Sequence, residues 1–169
     1  MADPIHGQKT GFYLDQRANR ARVEPLAGGK DVLNVFAYTG AFSVYGARGG
    51  VGKVVDIDAS AWALAAAERN LAHNRHVPAV AAASHETVVD DAFDALARMG
   101  GSGRWFGVVI VDPPAFARTR AQVDGALSAY RSLTELSLNV LSPGGTLVQA
   151  SCSSRADAEN ILRHGLRCC

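Results

Sequence analysis

Apolar positions along the chain fall into two alternating spacings. Short runs rich in β-branched residues occur at Val32 to Phe36, Lys53 to Ile57, Thr87 to Val89, Trp105 to Val111 and Thr146 to Ala150, each bounded by glycine, proline or polar residues. They predict buried strands. Between them the apolar residues recur at helical spacing. Ala41, Phe42, Val44, Tyr45 and Ala47 run to Gly49-Gly50, and Leu64, Ala67 and Leu71 share one face behind a capping Ser60, ending near Asn70 to Asn74. A further helix spans Phe93 to Met99, and a long one runs from about Ala121 to Leu141, with Val123, Leu127, Tyr130, Leu133 and Leu141 near one face and Pro143-Gly144-Gly145 as its stop. Ala79 to Ala83 reads as a connector or helix end, and Gly100 to Gly103 as a flexible loop. The order predicts an α/β fold, a mainly parallel sheet flanked by helices in the Rossmann-like manner.

In such a sheet ligands bind beyond the carboxyl ends of the strands. The first strand runs into Phe36-Ala37-Tyr38-Thr39-Gly40, so a turn with one glycine opens the next helix. The dinucleotide fingerprint G-x-G-x-x-G is absent there, and pyrophosphate would lack its close cradle. Gly52-Lys53 resembles a phosphate-loop ending, but the position five before Gly52 is Ala47 and no Ser or Thr follows to hold magnesium. What remains is Asp58 at the end of the second strand, about 20 residues beyond the first turn, placed to accept hydrogen bonds from a ribose diol. A nucleoside-bearing cofactor is expected.

Length and composition narrow the setting without choosing a partner. The 169 residues suit one domain with a sizeable core, here 1–169, comprising a lead-in over 1–30 and an α/β core over 31–169. There is no run of about 18 apolar residues and no basic-then-apolar start, which predicts no membrane span and a cytoplasmic setting. Three cysteines, two of them the adjacent Cys168-Cys169, form neither a disulfide framework nor a CxxC metal spacing. His73, His76 and His85 lack companion ligands at metal-binding spacing and read as solvated. A net charge of +1 leaves any RNA contact to local arginine clusters such as Arg17, Arg20, Arg118 and Arg120, or to a partner domain.

Three stretches carry further candidate chemistry. Gly7 to Val23 mixes Lys9, Arg17, Arg20 and Arg22 with Phe12 and Tyr13, and reads as a solvated entry with Leu14, Ala18 and Ala21 packing inward. Asp90-Asp91-Ala92-Phe93 follows the third strand, where an aspartate can cap the next helix. Asp112-Pro113-Pro114 follows the fourth, and two prolines there can neither continue the ladder nor enter a helix interior, which presents Asp112 on a stiff turn or as a cap. Cys152 ends the fifth strand, a place where a cysteine often serves only as a small buried hydrophobe.

Taken together and in order, GQKTGFYLDQR, DPPAFA and LSPGGTLVQASCS resemble the bacterial 23S ribosomal RNA cytosine-5 methyltransferases, whose fold is the class I S-adenosylmethionine (SAM) dependent one. The resemblance runs from about Gly7 to Ser154. It implies SAM as cofactor, held by Lys9, Thr10, Asp15, Phe36, Tyr38, Thr39, Gly40, Asp58, Ala59, Asp91, Ala92 and Asp112. Within that set Asp91 would meet the adenine amino group, with Ala92 or Phe93 lining the ring. It also implies Cys152 as nucleophile toward cytosine C6, Asp112 on the N3/N4 edge of the base, and ribosomal RNA, single-stranded or with a flipped cytosine, as partner. DPP alone is also close to the D/N-PP-Y/F signature of N-methyltransferases, which leaves methylation of a guanine or adenine nitrogen as an alternative, with an inactive SAM-binding module as another. Family members usually carry an RNA-binding domain of the PUA type ahead of this region and a terminal β-hairpin after it. The sheet is therefore expected to lack its last two strands, leaving the fifth as an exposed edge that invites homodimerisation or other association.

Overall fold

A computed structural model of the chain describes residues 16–116 and 122–150. Five strands form one parallel sheet in the order β3-β2-β1-β4-β5: β1 Val32–Val35, β2 Lys53–Asp58, β3 Ser84–Val89, β4 Phe106–Val111 and β5 Leu141–Gln149. Helices α1 Arg17–Leu26, α2 Ala41–Arg48, α3 Ala61–His73 and α4 Pro78–Ala82 precede β3, and α5 Ala92–Gly101 and α6 Val123–Leu138 follow it. Parallel strands need crossovers, and crossovers bring helices over both faces, so the strands are apolar on both sides. Leu33, Val35, Val55, Ile57, Val109 and Val111 meet α5 and α6 through Leu96, Met99 and Leu133. Val32, Val54, Val108 and Ile110 meet Val23, Phe42, Leu71 and Val80 of α1 to α4.

The chain winds outward from β1 through β2 to β3, then returns across the sheet to β4 on the other side of β1. The strand order therefore reverses beside β1. Between the carboxyl ends of β1 and β4 the connections leave toward opposite faces, which opens a crevice for a ligand.

Several local expectations are corrected. Arg20 and Val23, rather than Ala18 and Ala21, point into the protein from α1, with Arg20 only 2% exposed; Leu14 lies outside the described residues. Ala79 to Ala83 falls largely within α4, which starts on Pro78, a residue suited to a first helical turn. The third strand begins at Ser84, three residues early, because pairing with β2 overrides the weak local signal of Ser-His-Glu. Gly100 and Gly101 still belong to α5. The long helix ends at Leu138, so Leu141 starts β5 instead. Phe106 pairs with Leu141 and Val108 with Thr146, so Ser142-Pro143-Gly144-Gly145 is extrusion within the strand, a bulge that absorbs the extra residues. Among the described residues β5 pairs with β4 alone, at the sheet's edge. No helix there is long and apolar enough to cross a membrane.

Candidate cofactor site

Register aligns the carboxyl ends of four strands. Val35 stands opposite Ile57 and Val111, and Asp58 opposite Val89. Phe36, Asp58, Asp112 and the Asp90-Asp91 pair therefore lie along one edge. Three strand spacings of about 4.8 Å make that row roughly 14 Å long. A nucleoside carrying a second polar arm can extend along such a row.

The turn after β1 is held in an unusual backbone form. Phe36 and Tyr38 adopt left-handed φ values of 61° and 49°, and Gly40 follows at 71°. Such values disfavour bulky L-residues by about 1–2 kcal/mol each, so surrounding contacts must impose them. Those contacts are present. The Tyr38 amide donates to Asp58 Oδ2 at 2.9 Å, the Ala37 amide to the Ile57 carbonyl at 3.0 Å, and Asn70 Nδ2 to the Thr39 carbonyl at 2.9 Å. At Gly40 an added Cβ would sit 2.6 Å from Ala67 Cβ, so no other residue allows α2 and α3 to close here.

Asp58 serves two backbone amides, Tyr38 on one oxygen and Ser60 on the other, the latter also at 2.9 Å. Each carboxylate oxygen has a second lone pair, which suits a ribose diol. Ala59 beside it is exposed. Ser60 caps α3 as expected, accepting from the Ala63 amide. Asp91 caps α5: its Oδ1 accepts from the Phe93 amide at 2.8 Å and the Asp94 amide at 3.4 Å. Ala92 is 4% exposed and packs into the core, so its side chain turns away from the row. Asp90 pairs with Arg98, whose guanidinium holds the Asp90 carboxyl below its ordinary range.

Asp112 is half-buried at the end of β4, its amide reaching back to the Val35 carbonyl at 3.4 Å. Beyond the two prolines, Phe116 packs edge-on against Tyr130 at 4.9 Å between centroids and against Phe36 at 6.4 Å, with Phe93 also at 6.4 Å. This aromatic cluster ties the Asp112 turn to the β1 turn and the start of α5. Lys9, Thr10, Asp15, Arg118, Arg120 and Cys152 lie outside the described residues. Arg17 is exposed, whereas burial removes Arg20 from any surface contact with phosphate. No cluster of metal-ligating side chains occurs among the described residues.

One group of residues escaped the sequence reading. Asp56, fully buried in β2, accepts from Ser43 Oγ of α2 and from Asn34 Nδ2 of β1 at 3.2 Å, and lies 2.9 Å from His85 Nε2 of β3. His85 is thus the partner of a buried carboxylate and no solvated histidine. The signal was available: Asn34 and Asp56 are single polar residues at the centre of otherwise apolar strands, and they stand opposite each other in register.

The donor set fits a nucleoside cofactor, and the comparisons agree. The family model for S-adenosylmethionine-dependent methyltransferases matches residues 2–166. A ribosomal RNA large subunit methyltransferase of Deinococcus radiodurans is 51% identical over 95% of this chain and 38% of its own length. Ribosomal RNA large subunit methyltransferase I of Pseudoalteromonas translucida is 42% identical over 89% of this chain and 37% of its own. The chain therefore spans somewhat under two fifths of these relatives. Among solved structures, a methyltransferase complexed with SAH superposes with a TM-score of 0.76 at 31% identity, covering 92% of this chain and 40% of that one. With the Asp58-tipped second strand, the glycine-closed turn and the strand reversal beside β1 all in place, the chain belongs to the S-adenosylmethionine-dependent methyltransferase family.

Proposed function

We propose that this chain is the methyl-transferring part of an enzyme that modifies large-subunit ribosomal RNA at cytosine C5. The RNA substrate is supported by the relatives, which are ribosomal RNA large subunit methyltransferases. The observation that carries the carbon chemistry is the turn after β4. An N-methyltransferase signature places an aromatic ring directly after the two prolines, whereas Ala115 stands there and the next residue, Phe116, is engaged with Phe36 and Tyr130. That geometry favours a reaction in which Asp112 holds the base edge and a thiol does the covalent work.

SAM, when bound along the row from Asp91 to Asp112, supplies an electrophilic methyl group. Cytosine C5 is a poor nucleophile until the Cys152 thiolate adds to C6, which makes C5 enamine-like and able to accept the methyl. Loss of the C5 proton to a base then restores the ring and expels the thiolate. A free thiol has a pKa near ~8.5 and is only slightly ionised at neutrality, so the reaction needs the site to favour the thiolate. Asp112 meets the N3/N4 edge, where charge develops on attack. Ala150, two residues before Cys152 in sequence, donates its amide to the Val111 carbonyl at 2.9 Å, so β5 delivers the chain to the level of Asp112. The target cytosine must leave its stack, at a cost of a few kcal/mol that is smallest in single-stranded RNA.

The test uses the protein extended to the length of its relatives. Cys152→Ala is expected to abolish methyl transfer while SAM affinity stays near wild type, and RNA containing 5-fluorocytosine is expected to trap wild-type protein covalently, since fluorine cannot leave as a proton does. Retained transfer by Cys152→Ala, or labelled methyl recovered on a nitrogen, would overturn the cytosine-5 reading.

A further inference from the structure

We propose that Asp56 is a positioning residue for the cofactor turn, acting through Gly40. The proposal rests on the cofactor reading of that turn and names a buried group directly beneath it. Asp56 Oδ2 lies 3.3 Å from the point where a Cβ on Gly40 would stand, so the buried carboxylate is packed directly under the turn. Its other contacts come from three different elements: Asn34 on β1, Ser43 on α2 and His85 on β3. Asn34 Nδ2 also donates to Ser43 Oγ at 2.8 Å, which closes the group on itself. One carboxylate therefore fixes the relative placement of the strand before the turn, the helix after it and the neighbouring sheet edge.

Stability alone does not account for this arrangement. Apolar residues of similar volume usually serve a core at least as well as a buried ionisable group does. The network also leaves Asn34 Oδ1 buried with no hydrogen-bond partner, a feature that an apolar strand centre would avoid. On the opposite face of the same strands the equivalent positions are Leu33, Val35, Val55 and Ile57. The group of Asn34, Ser43, Asp56 and His85 lies on the side that carries Gly40. Without the carboxylate, Gly40 loses its seat, and Phe36 and Tyr38 lose part of the frame that keeps them left-handed. Asp58 is pinned to the same turn through the Tyr38 amide, so the ribose-binding carboxylate shifts with it.

The test is calorimetric titration of the 169-residue chain with S-adenosylhomocysteine, paired with thermal melting. Asp56→Ala is expected to weaken binding at least tenfold. Asp56→Asn is expected to remain within threefold of wild type, because its Oδ1 can accept from Ser43 and Asn34 while its Nδ2 can donate to His85 Nε2 once the imidazole carries its proton on Nδ1. Leu96→Ala, a truncation on the opposite face, is expected to lower the melting temperature without changing affinity. Asp56→Ala binding within threefold of wild type, or no more weakly than Leu96→Ala at a matched loss of melting temperature, overturns the proposal. So does an Asp56→Asn variant as weak as Asp56→Ala. Should Asp56→Ala not melt cooperatively, Ser43→Ala replaces it, with a loss of threefold or more expected and unchanged affinity counting against Asp56. A wild-type chain that does not bind S-adenosylhomocysteine at all would instead defeat the cofactor reading beneath the proposal.

Discussion

The two faces of the sheet share their strands but not their chemistry. The face under α5 and α6 is closed by Leu33, Val55, Ile57, Leu96, Val109 and Leu133, and the buried polar side chains of α6, Thr134 and Ser137, bond back to their own helix at the Tyr130 and Leu133 carbonyls. The face under α1 to α4 begins in the same way with Val32, Val54, Val108 and Ile110, then changes at Asn34, Ser43 and Asp56 one row below the carboxyl edge. One face supplies cohesion. The other gives up some of it to hold the β1 turn in a backbone form that the sequence would not adopt unaided.

Substitutions on the two faces should therefore separate stability from binding. Leu33→Ala, at a position with no exposure, should cost ~2–5 kcal/mol of unfolding free energy in denaturant titrations and leave SAM affinity per folded molecule unchanged. If affinity fell in parallel, the division between the faces would be wrong. Gly40→Ala should cost ~2–4 kcal/mol by combining a left-handed backbone with the Cβ clash against Ala67, and it should also abolish measurable SAM binding. Asp58→Ala should weaken SAM by ~1–3 kcal/mol, the scale for a hydrogen bond to a charged group. Because Tyr38 also loses its acceptor, a folded variant with intact affinity would remove Asp58 from the site.

The smallest effect belongs to the rim, where Glu86 is gripped by Arg104 at 2.9 and 3.0 Å and by Lys53. The Arg104 guanidinium, with Lys53 second, lowers the Glu86 carboxyl from 4.5 to about 2. A carboxylate whose folded value is depressed contributes stability above its unfolded value and loses that contribution as pH falls toward the folded one. The contribution should be complete above about pH 4.5 and should fade toward pH 2. Glu86→Gln should flatten this part of the acid limb by less than ~1 kcal/mol, since a partly exposed pair is screened by solvent. SAM affinity at neutral pH should not change, which distinguishes this surface cluster from the buried one around Asp56.

The strands and the Asp58 tip were legible because both rest on local signals: continuous apolar runs ending at acidic residues, with helix caps such as Ser60 placed as expected. Less legible were features that depend on which strands become neighbours. Asp56 and Asn34 are 22 residues apart and meet only because β1 and β2 pair in that register, and His85 joins them only through β3. For the same reason the start of β3 was missed. The burial of Arg20 was invisible because an arginine in a basic segment ordinarily faces water. The left-handed Phe36 and Tyr38 had no sequence signal at all, since glycine or asparagine would be the residues expected there.

The bulge at Ser142 to Gly145 has a use for engineering. It sits at the start of β5, at the opposite end of the sheet from Asp58 and Asp112, and Pro143 and Gly144 are exposed. Strand β5 pairs with β4 at Leu141 with Phe106 before the extrusion and at Thr146 with Val108 after it, so the residues between act as slack within the strand. A fluorophore-bearing peptide or a small tag spliced between Gly144 and Gly145 would therefore lengthen the chain without shifting the row of acidic side chains, giving an attachment point that does not interfere with the cofactor edge.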